Sequence, residues 1–255
     1  MRRDDRAELR TLAFALLVSL LLWNLPFGGG ILYPFKLLAT WFHEMSHGLV
    51  MIVTGAQLDH VLIYRDTSGL SYAVWSIESF GTAAIAAAGY MGTPLWGAVL
   101  LVTTPTGKSA RRALLVVSVL MLLTAIFVIT ATADGDNFGP YVTVAMGVTI
   151  AALGMFLPAR ARVFCAHFIA AQACINALLD IRVLFRPMQV VNGQIAGNSD
   201  ASAMAYATFG TREPWAVWTW AAIWLAWSLV VLFVAMRVSG SRARKHATPP
   251  APTTA

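Results

Sequence analysis

The chain has 255 residues, of which 58% are hydrophobic and only 12% charged, with a mean hydropathy of +0.68. A soluble core of this length cannot hide so much apolar surface, so a soluble globular protein is excluded and an integral membrane protein is expected. The net charge of +6 comes from 18 Lys and Arg against 12 Asp and Glu. The basic residues cluster in short loops and at the ends, without interleaved aromatics, which points to topology and anionic lipid and not to nucleic acid.

In chain order, residues 1–10 are charged and residues 11–25 read as an apolar helix ended by Pro26 and Gly28-Gly29-Gly30. A basic start before an apolar run imitates a signal peptide. Asn24-Leu25-Pro26-Phe27 is a poor cleavage site, so a retained anchor is expected. The second apolar helix, residues 31–54, carries His43-Glu44-Met45-Ser46-His47 and stops near Gly55. Two histidines four apart share one helical face and can reach one zinc ion, which takes nitrogen ligands at about 2.0–2.1 Å. Glu44 between them is placed to take a proton from water at that ion and pass it to a leaving group. Ionisable groups within an apolar helix are costly in a membrane, and their presence points to function.

Residues 58–74 read as a β-hairpin with its turn at Arg65-Asp66-Thr67-Ser68-Gly69. His60 on it is expected at the interface, outside any metal site. A third helix over 80–103 is dense in Gly and Ala, which lets helices approach closely in lipid, and Pro94 should kink it. A basic loop, Thr106 to Arg112, leads to spans at about 113–132 and 140–158. The acids of Asp134-Gly135-Asp136-Asn137 lack calcium-loop spacing and read as an exposed turn. The sixth span, about 163–185, carries Asn176 and Asp180 on one face, and Cys165 and Cys174 as small buried residues. Residues 186–213 are polar and hold Asn198-Ser199-Asp200-Ala201, a short helix capped by Ser199 or Asn198. The last span, about 215–237, opens Trp-rich. Residues 1–238 are thus one all-α polytopic membrane domain of about six to seven helices with a small hairpin, and residues 239–255 a disordered basic and Pro/Thr/Ala-rich tail.

An apolar helix bearing His43-Glu44-Met45-Ser46-His47 in a multi-span chain resembles the site-2 protease family of intramembrane zinc metalloproteases, in its compact bacterial branch without a PDZ domain. The resemblance runs through the Gly-rich Ala88-Gly89-Tyr90-Met91-Gly92 patch and the later Ser199-Asp200-Ala201 element. It implies a zinc endopeptidase of the bacterial plasma membrane, cutting membrane-protein substrates within or near the bilayer. It also implies a third zinc ligand: an aspartate from a later span, followed by Gly in the family. Asp180 follows Leu178-Leu179, with Asn176 nearby but no Gly, and is preferred because its span reaches the depth of the histidines. Asp200 is the alternative and would need its loop to re-enter. Asn176 and Asn198 are candidates to orient a ligand or touch substrate.

The resemblance places the hairpin on the cytoplasmic side. With seven spans, that puts Lys108, Arg111, Arg112 and the tail outside, against the positive-inside tendency. Two other function classes fit the composition: a non-proteolytic scaffold or binding protein of the same fold, and a small-solute transporter with Asn176 and Asp180 on its path. Neither needs a glutamate between two metal-spaced histidines.

Overall fold

A computed structural model describes residues 14, 17–18, 21–22, 24–74, 79–185, 189–196 and 199–246. The elements are α1 (Gly28–Thr54), β1 (Leu58–Ile63), β2 (Gly69–Ala73), α2 (Ser79–Thr103), α3 (Gly107–Phe127), α4 (Phe138–Phe156), α5 (Ala159–Asp180), a 3-10 turn (Ile181–Phe185), β3 (Gln189–Val191), β4 (Gln194–Ala196), α6 (Asp200–Phe209) and α7 (Pro214–His246). Five helices, α2, α3, α4, α5 and α7, contain segments long and apolar enough to cross a membrane. In lipid every backbone group must be bonded within the segment, which is why such runs are helical. With α1, whose apolar run is diluted by Lys36, His43, Glu44 and His47, the architecture is the all-α polytopic bundle with a small hairpin expected above. The expected first span over 11–25 falls largely outside the described residues. Helix α7 continues past the expected start of the tail to His246, and residues 247–255 lie outside the described residues.

Helix α1 divides into two faces. Leu38, Trp41, Phe42 and Met45 are buried in the main apolar core with residues of α3, α4 and α5. Phe42 stacks on Trp96 of α2, and the Trp41 indole donates to Thr124 Oγ1 of α3 at 2.9 Å. Thr40, His43, Glu44, His47 and Met51 lie on the other face, toward a cavity. Gly55, with φ +86°, ends the helix in the left-handed conformation that an L side chain resists. Small residues let α2 sit close: a Cβ at Gly97 would lie 2.7 Å from Cys174 Sγ and 2.8 Å from the Ala170 carbonyl of α5. Overpacking of this kind costs about 1–3 kcal/mol. Beside Pro94, which stays within α2, the Trp227 indole of α7 donates to the Met91 carbonyl at 3.1 Å. Both cysteines are free.

The hairpin forms as expected, antiparallel, with Val61 opposite Ser71 and Ile63 opposite Gly69. Its burial does not alternate: Val61, Leu62 and Ile63 are all buried. The reason is that the second half of β1 is enclosed by the bundle, while the end of β2 stays exposed. Val61 exchanges backbone hydrogen bonds with Val128 and Thr130, so the segment after α3 covers the outer edge of β1. This pairing also ends α3 at Phe127, short of the expected 132. At its other end α3 begins at Gly107, inside the expected loop, where Thr106 and Ser109 form a capping box worth about 0.5–2 kcal/mol. The hairpin tip is pinned to α1: Tyr33 Oη donates to the Arg65 carbonyl at 2.7 Å, and Thr40 Oγ1 donates to the Thr67 carbonyl. Arg65 in turn makes two bonds to Asp136, each 3.1 Å, in the α3–α4 turn.

A second hairpin, β3–β4, turns at Asn192-Gly193, both with positive φ. The Asn192 amide meets Ser68 Oγ of the first hairpin at 3.3 Å. Sequence reading treated residues 186–213 as one polar stretch and missed it. The signal was the Asn-Gly pair between short apolar runs, which favours a two-residue hairpin turn.

The charge distribution has a consequence for orientation. The start of α3 lies against the start of α5, where Gly107 approaches Ala159, so Lys108, Arg111, Arg112, Arg160 and Arg162 gather at one end of the bundle. Helix α7 starts beside α6, where the Trp220 indole donates to Thr208 Oγ1, and runs away from it, which carries Arg237 toward the basic end. The hairpins and α6 occupy the opposite end. The positive-inside tendency would put the basic end in the cytoplasm and the hairpin end on the other side, the reverse of the side that the resemblance implies. Reporter fusions at residues 109 and 135 should therefore read opposite sides, with 109 cytoplasmic; a cytoplasmic 135 would reverse the assignment.

Hydrogen bonding by Arg65 holds the Asp136 carboxyl below its ordinary value. A carboxyl lowered on folding adds stability above its unfolded pKa, and that stability is lost as pH falls through the folded value. Asp136→Asn should accordingly speed amide exchange at residues 64–68 at neutral pH. At a pH low enough to protonate Asp136 the variant and parent should exchange alike.

Candidate metal centre

The site assembles from three elements. Helix α1 supplies His43 and His47, one turn apart. Helix α6 supplies Asp200. The Ser199 hydroxyl accepts from the Ser202 amide at 3.1 Å, so Ser199 is the N-cap and Asp200 the first helical residue. Asn198, the other cap candidate, lies outside the described residues. Asp200 Oδ2 is 3.1 Å from His43 Nε2 and 3.3 Å from His47 Nε2. The three donor atoms lie within 4.8 Å of one another. Tetrahedral zinc with ligands at about 2.0–2.1 Å separates its donors by about 3.3–3.4 Å, so the trio needs only small adjustments to close on one ion.

The donor chemistry fits as well. His47 Nδ1 is 2.7 Å from the Ile85 carbonyl of α2. A carbonyl only accepts, so Nδ1 carries a proton, and Nε2, 3.3 Å from Asp200 Oδ2, is the nitrogen that faces the centre and would ligate an ion there. Helix α2 also makes the room. A Cβ at Gly89 would collide with His43 Nε2 and with His47 Nε2. The Gly-rich patch is thus explained at this position by the histidines as well as by helix packing.

Glu44 is buried, and its Oε2 accepts a 2.7 Å hydrogen bond from Ser71 Oγ of β2. A Cβ at Gly69 would lie 2.7 Å from Glu44 Oε1, so the hairpin backbone also leaves clearance for this carboxylate. All of these side chains line a cavity of about 330 Å³ together with Tyr90, Asp180 and the hairpin residues Asp66 to Ser71. The outer edge of β1 is covered, so β2, whose first three residues line the cavity, is the free strand of this sheet among the described residues.

The preference for Asp180 as the third member is not what the geometry brings together. Asp180 ends α5 and borders the cavity, but it is outside the three-atom group that Asp200 completes. The re-entry that counted against Asp200 is supplied by a packed helix: Ala201 and Ala205 of α6 are fully buried, with Ala201 against Trp224, Ile181 and Ala86. Asn176 does not border the cavity. Its amide donates to the Gln172 carbonyl of its own helix at 2.8 Å. His60 lies apart, paired with Asp59 at 2.9 Å and stacked on Tyr72. From the sequence neither Ser71 nor Tyr90 is singled out: the first is one residue of a hairpin that could take a substrate strand, the second one of a patch read first as packing and second as substrate access.

A family model described as Peptidase M50B-like matches residues 11–235, well over half of the chain. No curated protein and no solved structure matches it. The matched region includes His43, Glu44, His47, Asp180 and Asp200, and carries both hairpins and helices α1 to α6. The chain belongs to the Peptidase M50B-like family, part of the site-2 protease family that its motif helix resembles.

Proposed function

We propose that the protein is an intramembrane zinc endopeptidase in which His43, His47 and Asp200 hold the metal and Glu44 is the general base. The observation that carries this reading is the convergence of two imidazole nitrogens and one carboxylate oxygen in a cavity that Glu44 also lines. Bound zinc would supply Lewis acidity toward the scissile carbonyl and lower the pKa of a water ligand. Glu44 takes the proton of the attacking water and returns it to the leaving amine. Ser71 fixes one carboxylate oxygen by donating to it, which leaves the other for the proton. Asp200 would present its carboxylate to the metal from the N-terminus of α6.

Membrane-protein segments are the substrate class that a site among apolar helices can reach. A helical substrate hides its amides in its own hydrogen bonds, so it must unwind before cleavage. The free edge of β2 offers backbone partners to an extended segment beside Glu44, the pairing mode by which a peptide adds to a sheet edge. Asp180, at the same cavity, is left out of the metal set.

Metal analysis of the detergent-purified protein tests the ligand set. About one zinc per chain is expected, lost in His47→Ala and Asp200→Ala and retained in Asp180→Ala. Zinc lost with Asp180 and kept without Asp200 would reverse the assignment. Glu44→Gln should keep its zinc and lose about 10²–10⁴-fold in peptide cleavage. Full turnover in that variant removes Glu44 from the chemistry.

A further inference from the structure

Tyr90 stands in the cavity with a hydrogen-bond donor that no described residue uses. Its ring is held on two sides. It meets the His43 imidazole edge-on, with centroids 4.8 Å apart and planes at 88°. On the other side it lies parallel to the Trp224 indole, at 5.0 Å and 6°. Trp224 is fully buried in α7, and Tyr90 itself is only 6% exposed, so the ring has little freedom to turn away. Its neighbour Gly89 brings the α2 backbone against both histidine Nε2 atoms. The phenol is therefore rigid, adjacent to the metal centre and lining the same cavity as Glu44 and Asp200.

A phenol in a largely apolar bundle normally finds an acceptor when buried. Here Tyr90 makes no hydrogen bond to another described residue, and its oxygen is not among the sealed polar atoms that lack partners. The donor therefore faces the cavity, where an acceptor would arrive with the substrate. Of the carboxylates that line the cavity, Asp200 is held by the two histidines and Glu44 by Ser71, and Asp180 makes no hydrogen bond to Tyr90.

We propose that Tyr90 is a further catalytic residue, whose hydroxyl donates a hydrogen bond to the scissile carbonyl oxygen as that oxygen becomes negative. This rests on the endopeptidase reading above. In the step, a water oxygen bonds to the carbonyl carbon, its proton passes to Glu44, and the carbonyl π pair moves onto the oxygen. Tyr90 keeps its proton and stabilises the new charge by donation. A donor held in advance in a dry site favours the charged transition state over the neutral amide, and removal of one such donor typically costs about 10²–10³ in kcat.

The test is Tyr90→Phe, which keeps both ring contacts and removes only the hydroxyl. Three quantities are read: zinc content, steady-state cleavage of a membrane-peptide substrate, and calorimetric affinity for a phosphinic peptide, whose tetrahedral anion imitates the charged oxygen. Expected are unchanged zinc, a kcat lower by about 10–10³-fold with KM within a few-fold, and phosphinate affinity weakened in the same direction. Parent-like kcat and phosphinate affinity in Tyr90→Phe would overturn the role. So would loss of zinc, which would make the residue part of the metal site's construction. A parent that holds zinc but neither cleaves peptide nor binds the phosphinate would instead overturn the endopeptidase reading itself, and this assignment with it.

Discussion

Two imidazoles and a carboxylate on an apolar helix set the constraint from which the rest of this structure follows. Unpartnered polar groups are expensive away from water, and charged ones more so. Each of the three therefore has a partner brought from another element: the Asp200 carboxylate for His43 and His47, the Ile85 carbonyl for the far nitrogen of His47, and the Ser71 hydroxyl for Glu44. Those partners come from α6, α2 and β2, three segments separated along the chain. Their convergence requires that the chain return three times to the motif helix after leaving it: as a hairpin, as the long helix α2, and as a short helix set among longer ones.

The packing of α1 serves the same constraint from behind. Trp41 and Phe42 are fully buried and lock against Trp96 and Thr124. Side chains so tightly held fix the rotation of the helix, and that rotation decides whether residues 43, 44 and 47 face the cavity or the core. A loss of packing there would turn the site residues away without touching them. The stacked pair Tyr90 and Trp224 fixes the facing side of the cavity in the same manner. Aromatic contacts of this kind add about 0.5–1.5 kcal/mol beyond area burial, but their larger effect here is on direction.

Much of this was legible in the sequence because membrane segments are written in long runs. The apolar helices, the stop at Gly55, the hairpin turn at Arg65 to Gly69 and the metal-spaced pair His43 and His47 all follow from local pattern. Boundaries set by tertiary pairing were not legible. Helix α3 stops at Phe127 because Val128 and Thr130 bond to Val61, sixty-odd positions earlier, and the one local hint is the β-branched run Val128-Ile129-Thr130, which an apolar span can also contain. The uniform burial of Val61, Leu62 and Ile63 has the same origin. The β3–β4 hairpin was legible in principle, through Asn192-Gly193, but its three-residue strands are too short to display a period.

The third member proposed for the site lies where reasoning from span depth does not look first. Asp180 had the better address: a long span, a Leu-Leu before it and Asn176 one turn earlier. Depth was the argument for it, on the premise that only a full span carries a carboxylate to the histidines. Helix α6 breaks that premise. It is ten residues long, and the Ser199 cap bonds the Ser202 amide of its first turn. Its Ala201, Ala205 and Met204 bury against α2 and α7, which meets the condition that irregular backbone at such depth be enclosed by protein. An aspartate at the first position of such a helix is favoured by the positive end of the helix dipole. It is also rigid, because the cap and the buried alanines flank it on both sides. An aspartate at the last turn of α5 has the dipole against it and the 3-10 turn to absorb its motion. The physics of helix ends thus favours the residue that span depth had ranked second.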